Sequence, residues 1–473
     1  MKKQIIFALL AISLLTGCTV GPNYKRPAVN VPQEFRGLTP EAATQPGVLP
    51  AKTDATSLGE QNWEEIFKDQ QLQHLIRTAL QQNYDVRIAA SRILQAEALL
   101  RITRADQYPE LDAGASISNQ RRARTGPIPS FENTAGQISV AAAWELDFWG
   151  KYRRATQAAR AELLAQEWAR QAVISTLVAD VAGSYFQLRE LDLELEIARR
   201  TASSRTESLN LTKTLQERGL NTMLDVHQAE QLVYAASAQV PDIERQIEQQ
   251  ENAISILLGR NPGDVSRGLK LTEQPLAPEV PAGLPSSLLE RRPDIRQAEQ
   301  RLIAANARIG VAKAAYFPQI TLTASGGFQS STLAELFTGP AGLWSFGAAL
   351  TQPIFNGGRI RSNVRLTKAQ QEEALLVYQR TIQQAFREVS DGLVAYRKNQ
   401  EFRKQQELLT QSAREAARLS GVRYRAGQTS NLEVLTNETN LFAAELRFAQ
   451  AQLNERLALV QLYRALGGGW QQR

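Results

Sequence analysis

The sequence predicts an internally duplicated α+β protein of a membrane, built from two copies of one unit. Three observations carry this prediction. One stretch of the chain recurs at a constant offset, segments of alternating apolar and polar residues interrupt long helical patterns, and the first residues have the composition of a secretion signal. Each half is expected to run helix, strand, strand, long helix, shorter helix.

Two segments, Gln216 to Val226 and Arg423 to Val434, show the repeat most clearly. In each, a helical pattern stops at a glycine, and a carboxylate followed by valine begins a new helical pattern six residues later. A glycine just past a helix end can adopt the left-handed conformation that satisfies the last carbonyls. Gly219 and Gly427 are 208 positions apart (427 − 219). Each segment is predicted to be the tip of a helical hairpin.

The composition excludes several classes of protein. The 473 residues are 43% apolar and 22% charged, which is ordinary for globular chains. The net charge of +6 comes from basic and acidic residues interspersed on helical patterns, so no nucleic-acid partner is expected. With two histidines, one cysteine and no phosphate-binding or nucleophile motif, we expect no catalytic site, metal or cofactor.

The N-terminus indicates export and a lipid anchor. A basic start and the apolar run from Ile5 to Leu15 predict a signal peptide over residues 1–17, because the run is too short to span a bilayer. The sequence Leu15-Thr16-Gly17-Cys18 resembles a bacterial lipobox, so lipidation of Cys18 is expected. The alternative is a chance cysteine behind a signal peptide.

The first half is expected to follow a proline-rich, lipidated extended segment over residues 18–61. A helical pattern from Trp63 to about Asp106 precedes strands at 111–118 and 138–148, which a polar loop over 120–136 separates. Helices are then predicted from Lys151 to about Arg218 and over 224–258. The longer one, of ~65 residues, would measure ~100 Å and cannot belong to a compact single domain.

The second half repeats this order. The first repeat covers 62–259, a proline-rich linker 260–285, the second repeat 286–467 and a C-terminal tail 468–473. Strands are expected at 320–325 and 344–355, followed by a long helix to Tyr424 and a last helix to Leu466. Arg291-Arg292-Pro293-Asp294 is interpreted as a helix start, because proline and a carboxylate suit the first turn.

Four strands are too few to close a membrane barrel, for which about eight is the observed minimum. On the strand pattern alone, a soluble sandwich is the simpler interpretation. The signal and lipobox, the aromatic residues near strand ends and the length of the helices favour several chains that pool their strands. Glu145 and Asp147 are then expected on the polar face of one strand.

Five motifs in order resemble the outer-membrane factor lipoproteins of tripartite efflux systems, the TolC-like family in its NodT branch. They are Gly21-Pro22-Asn23-Tyr24-Lys25-Arg26-Pro27, Trp144-Glu145-Leu146-Asp147-Phe148-Trp149-Gly150, Arg291-Arg292-Pro293-Asp294-Ile295-Arg296, Ala315-Tyr316-Phe317-Pro318 and Gln352-Pro353-Ile354-Phe355. The resemblance covers essentially the whole mature chain.

The resemblance implies a homotrimer in which each chain gives four strands to one twelve-stranded barrel in the outer membrane. The long helices would continue as a hollow helical barrel in the periplasm, with the linker in an equatorial belt. Such proteins are passive export ducts that meet a periplasmic adaptor and an inner-membrane pump, commonly of the resistance-nodulation-division type. The alternatives are a channel for type I protein secretion and a structural coiled-coil lipoprotein of the periplasm.

The resemblance also implies a periplasmic gate at the two tips. Asp225 and Tyr424 resemble a pair that ties the hairpins together in the closed state, and Glu433 resembles a member of a carboxylate ring. Arg218 and Arg425 are candidates to replace charged contacts that this chain lacks. Simpler interpretations stay open, because carboxylates are common in a first helical turn and arginines in a last one.

Overall fold

The computed structural model describes residues 19–32, 35, 57–275 and 285–470. The predicted signal peptide over 1–17 and the predicted lipidation site Cys18 lie outside the described residues. So do parts of the N-terminal segment, of the linker over 260–285 and of the C-terminal tail.

Helices and strands follow the predicted order in both halves. The first half contains α1 (Trp63–Ile66), α2 (Gln70–Gln82), α3 (Tyr84–Ala105), β1 (Glu110–Arg122), β2 (Phe131–Glu145), α4 (Lys151–Glu217) and α5 (Met223–Leu257). The second contains α6 (Leu288–Arg291), α7 (Pro293–Ala314), β3 (Gln319–Ser330), β4 (Gly342–Thr351), α8 (Arg359–Arg425) and α9 (Asn431–Ala465). None of the described helices combines the length and apolar composition needed to cross a bilayer.

The predicted duplication is confirmed by the lengths of equivalent helices. Helices α3 and α7 each have 22 residues, α4 and α8 each have 67, and α5 and α9 each have 35. Contacts divide the chain into two units. One contains the strands, within Arg92–Glu167 and Gln297–Gln379, and the described residues up to Ala28. The other contains Trp168–Arg296, Arg380–Arg473 and the described residues between Val29 and Ser91.

The single helix expected from Trp63 to Asp106 is wrong, because two side chains cap new helices within it. The Oδ1 atom of Asp69 accepts hydrogen bonds from the backbone N–H groups of Gln71 at 2.8 Å and Leu72 at 3.3 Å. The Oδ1 atom of Asn83 accepts in the same way from Asp85 at 2.8 Å. Asn83 therefore ends α2 and starts α3, whereas Asp69 starts α2 after α1 has already ended with Phe67 as its C-cap.

Asp69 also fixes the start of the connection that follows α5. Its carboxylate is 1% exposed and accepts hydrogen bonds from the Tyr185 hydroxyl at 2.8 Å, the Leu269 N–H at 3.0 Å and the Gln274 amide at 2.7 Å. A buried carboxylate is stable only when hydrogen-bonded in this way. The main apolar core surrounds this point and includes Tyr185 and Tyr463, which are fully buried.

A second buried carboxylate lies on α4. Glu190 is 3% exposed and lies one helical turn before Glu194, with which it shares a hydrogen bond. Burial, and then the nearby charge of Glu194, raise the pKa of Glu190 to about 8. Glu190 therefore holds a proton near neutral pH in the folded chain.

The helix start predicted at Pro293 is confirmed, and Arg292 beside it is a buried structural cation. Its guanidinium donates to the Asp294 carboxylate at 2.7 Å, to the Glu388 carboxylate at 2.8 Å and to the Ala465 carbonyl at 2.9 Å. Only 8% of the side chain is exposed. The motif thus joins the start of α7 to Glu388 of α8 and Ala465 of α9, and both of these residues lie in the unit that contains Arg292.

The N-terminal segment from Thr19 to Arg26 packs along α4 and α7. The Val20 N–H donates to the Trp149 carbonyl at 3.0 Å, and Arg154 donates to Asn23 at 2.8 Å. At Gly310 of α7, an added Cβ atom would lie 2.7 Å from the Val20 carbonyl oxygen, so glycine permits the close approach. The extended conformation expected for this part of the segment is therefore held by specific contacts.

The strands differ from their predicted bounds at both ends. Strands β1 and β2 continue farther into the loop expected over 120–136, where Arg121 lies directly opposite Glu132 and the Asn119 amide donates to the Glu132 carboxylate at 3.4 Å. Strand β4 ends at Thr351, before Pro353, which has no N–H to donate.

The placement of Asp147 on the polar strand face is wrong. Strand β2 ends at Glu145, and the Asp147 carboxylate accepts from the N–H groups of Tyr152 at 3.0 Å and Arg153 at 2.8 Å. It therefore caps the first turn of α4.

Candidate functional site

The four strands form one antiparallel sheet in the order β1-β2-β3-β4. Directly opposed residues lie on the same face of a sheet, and the registers align Ala113 with Val140, then Gly326, then Trp344. Apart from Ser330, which lies opposite Gly136, this face carries only apolar residues and glycine from the helix end of the sheet to within two rows of its loop end. They are Leu111, Ala113, Ala115, Ile117, Gly136, Ile138, Val140, Ala142, Trp144, Ile320, Leu322, Ala324, Gly326, Phe328, Gly342, Trp344, Phe346, Ala348 and Leu350.

Within one chain, this apolar face has little protein over it. Ile117 is 86% exposed, Trp344 84% and Leu350 67%. Apart from Phe131 and Leu343, the residues of the opposite face are small or polar, as at Ser325 and Ser345, whose hydroxyls lie 2.8 Å apart. Exposed apolar area of this extent marks an interaction site with protein or lipid.

Both outer edges of the sheet are open. Among the described residues, β1 pairs only with β2, and β4 pairs only with β3. An unpaired strand edge presents a row of N–H and C=O groups that must bond to water or to another strand. The sheet is therefore incomplete both at its apolar face and at its edges.

The first tip, between α4 and α5, is closed by its own residues. Gly219 has φ of 73°, and the Leu220 N–H returns to the Leu215 carbonyl at 2.9 Å. The Thr222 N–H donates to Asp225 at 2.9 Å while the Asp225 N–H donates to the Thr222 hydroxyl at 3.3 Å, which is a capping box.

The second tip, between α8 and α9, uses its carboxylate differently. Gly427 has φ of 71°, and Ser430 caps α9 without a side-chain hydrogen bond. Glu433 accepts a hydrogen bond from the Thr429 hydroxyl and forms an ion pair with Arg423, with 3.5 Å between Nη1 and Oε1. About half of each side chain in this ion pair is exposed.

One side-chain hydrogen bond joins the two tips within the chain. The Asn221 amide donates to the Tyr424 hydroxyl at 2.8 Å. Sequence reasoning singled out Tyr424 but missed Asn221, and the structure brings Tyr424 to Asn221 rather than to Asp225. The carboxylate of Asp225 is occupied by the capping box at its own tip.

The remaining predicted residues surround the tips at the surface. Arg218 and Arg425 are exposed, and neither side chain has a hydrogen bond or ion pair within the described part of the chain. Apolar side chains lie beside these cations, with Leu220 71% exposed and Leu432 61% exposed. The tips thus present a mixed basic and apolar surface.

A small separate core supports the first tip. It consists of Leu209, Val226, Ala229 and Val233 on α4 and α5. The described residues contain no group of three or more histidine, cysteine, aspartate or glutamate side chains suited to a metal ion.

Comparison with known proteins agrees with this geometry. A family profile described as outer membrane efflux protein matches residues 75–260 and 284–468. The chain is 37% identical over 475 residues to the probable efflux pump outer membrane protein TtgC of Pseudomonas putida, with 99% of this chain and 96% of that protein covered. It is 35% identical to the cation efflux system protein CusC of Escherichia coli, with 97% of each covered.

A solved structure shows the same architecture. The open state of the outer membrane channel MtrE of Neisseria gonorrhoeae superposes with a TM-score of 0.85 at 32% identity, and the match covers 96% of this chain and 99% of that one. The family profile accounts for both halves of the duplication, and the relatives extend over almost the full length. The chain belongs to the outer membrane efflux protein family.

Proposed function

We propose that three copies of this chain pool their strands into one twelve-stranded barrel in the outer membrane and form the export duct of a tripartite efflux system. The observation that carries the proposal is the four-stranded sheet with one continuous apolar face and two open edges. Three such sheets joined edge to edge leave no open edge and turn one apolar face to lipid.

The long helices give the duct its periplasmic part. Helices α4 and α8 of 67 residues each begin at the end of the sheet opposite the strand loops. Three chains would contribute six such helices around one axis. The duct is passive and has no catalytic step, so the direction of transport comes from an inner-membrane pump of the resistance-nodulation-division type, reached through a periplasmic adaptor.

The two tips are the proposed gate of the duct. The bond between Asn221 and Tyr424 holds the hairpins together, and Glu433 from each chain places three carboxylates around the axis. A ring of carboxylates in a narrow pore favours cations. Arg218, Arg425 and Asp225 lie near enough in sequence to take part when the tips of neighbouring chains meet.

The division of the chain follows from the same proposal. Residues 1–17 direct export, and Cys18 carries the lipid that tethers the segment over 18–61 to the outer membrane. Repeats over 62–259 and 286–467 flank a linker over 260–285 at the equatorial belt, and residues 468–473 form the tail. Labelling with a radioactive fatty acid and loss of the label in Cys18→Ser test the anchor.

Planar-bilayer recording tests the duct. Trimers extracted from the outer membrane should insert and conduct ions, and deletion of the gene should sensitise the host to small toxic molecules without abolishing protein secretion. Folded trimers that never conduct would contradict the duct and favour the structural coiled-coil lipoprotein. Loss of a secreted protein with unchanged sensitivity to small molecules would favour type I secretion.

A further inference from the structure

The connection between β3 and β4 folds back over the sheet. It contains two short 3-10 turns, Leu333–Glu335 and Gly339–Ala341. Leu336 between them is 4% exposed, whereas Phe337 is 69% exposed. The ring of Phe337 packs edge-on against Phe328, with 5.8 Å between centroids. Since Phe328 lies on the apolar face, the connection covers that face at its loop end.

Beneath this connection lies a pocket of about 550 Å³, here called the loop pocket. Two small residues on neighbouring strands, Ala115 and Gly136, line it, and Ile117, Ile138 and Leu336 supply larger apolar surfaces. The other lining residues are uncharged and lie mostly toward the loops. They are Ser116, Thr134, Gln137, Ser330, Ser331, Thr332 and Leu333.

We propose that the loop pocket binds one acyl chain of an outer-membrane lipid. This inference rests on the proposed function, because it requires the apolar face to lie against membrane lipid. The loop pocket is continuous with that face, and no ionisable side chain lines it. A hydrocarbon chain is the occupant that gains most from such walls, since transfer of apolar surface out of water drives its binding.

The position of polar groups would orient the acyl chain in the loop pocket. On the same face, the row of Ile117 and Gly136 is followed toward the loops by Asn119 and Thr134. Apolar residues therefore give way to hydroxyl and amide groups at the loop end. These groups suit the ester or amide oxygens where an acyl chain joins a lipid headgroup, because both are hydrogen-bonding partners. The hydrocarbon tail would lie along Ala115 and Ile138.

Variants that fill the loop pocket test this inference. At Gly136 an added Cβ atom would meet only the Ser330 carbonyl oxygen, at 3.7 Å, so Gly136→Leu extends into the pocket without a backbone clash. Ala115→Leu fills it from the neighbouring strand. Ala142→Leu and Ala113→Leu are matched controls, because both positions lie on the same face and strands outside the pocket.

The measurement is native mass spectrometry of trimers after detergent exchange, with the lipid identified by its mass. Wild type and both controls should retain up to three lipids per trimer. In Gly136→Leu and Ala115→Leu, the fraction of loop pockets that hold a lipid should fall at least tenfold. Equal retention in the filled variants, or no retained lipid in wild type, would overturn the inference.

Bilayer conductance of the same preparations separates the two proposals. If the trimers conduct and Gly136→Leu retains as much lipid as wild type, the acyl-chain site is refuted and the proposed duct stands. Folded trimers that fail to conduct in every variant, wild type included, instead refute the duct. Retention of detergent in place of lipid by wild type at native lipid levels would also overturn the acyl-chain site.

Discussion

Removal of one hydroxyl at the second tip should open the duct. Tyr424→Phe keeps the aromatic ring but deletes the hydroxyl oxygen that accepts a hydrogen bond from the Asn221 amide at 2.8 Å. A hydrogen bond of this kind contributes about 1 kcal/mol net, so three chains that open together lose about 3 kcal/mol of the closed state. Because 1.4 kcal/mol corresponds to a tenfold change, the ratio of open to closed trimers should rise ~100-fold.

Single-channel recording in planar bilayers measures this ratio as open probability. Tyr234→Phe is the matched control, because Tyr234 lies on α5 of the first hairpin, is 66% exposed and makes no hydrogen bond with its hydroxyl among the described residues. Asn221→Ala should reproduce the effect of Tyr424→Phe, and the double variant should add nothing further. An unchanged open probability in Tyr424→Phe, or an equal rise in Tyr234→Phe, would refute the role of this bond.

Three further predictions concern charges. Glu433→Ala should raise open probability less than Tyr424→Phe does, because an exposed ion pair contributes at most about 1 kcal/mol. It should also lower the cation selectivity of the pore. An unchanged reversal potential in a KCl gradient would contradict the carboxylate ring. Arg292→Ala should lower the free energy of unfolding by roughly 1.5–3 kcal/mol, as followed by thermal denaturation, because it removes charge-assisted hydrogen bonds to the partly exposed Asp294 and Glu388 carboxylates and the donor to the Ala465 carbonyl. The exposed Arg301→Ala should change it little. Burial and Glu194 raise the pKa of Glu190 to about 8, so the unfolded chain releases this proton at lower pH than the folded one and stability falls as pH rises to about 8. Glu190→Gln should flatten this decline in melting temperature, and an unaltered pH profile would count against it.

The repeat and its helices were predictable from the sequence because they depend on local signals. Gly219 and Gly427 end the long helices within two residues of the expected positions. The break at Asn83 was not predictable from periodicity, because the apolar pattern continues through it and only the side chain's bond to the next turn ends the helix. The predicted place of Asp147 was wrong for a similar reason, because alternation of apolar and polar residues cannot distinguish a strand residue from a helix cap that follows the strand.

The contacts of the residues in the proposed gate could be predicted only in part. A carboxylate in the first turn after each tip was visible in the sequence, but its partner depends on which side chains folding brings together. Asn221 lies 203 positions from Tyr424, and no local pattern relates them. The internal alignment held a usable signal, because Asn221 is equivalent to Thr429 (429 − 221 = 208), and such a difference between equivalent tip positions marks a departure from the repeat.

The two tips differ in how their carboxylates are bonded. At the first tip, the Oδ2 atom of Asp225 accepts hydrogen bonds from the Thr222 N–H and hydroxyl before any other chain approaches. At the second, the longer Glu433 reaches Thr429 and Arg423 at the surface instead of its own helix cap. An exposed pair of this kind exchanges partners at a cost of at most about 1 kcal/mol. A neighbouring chain or an adaptor that offers a cation can therefore take Glu433 from Arg423, whereas the Oδ2 atom of Asp225 would first have to give up its capping box.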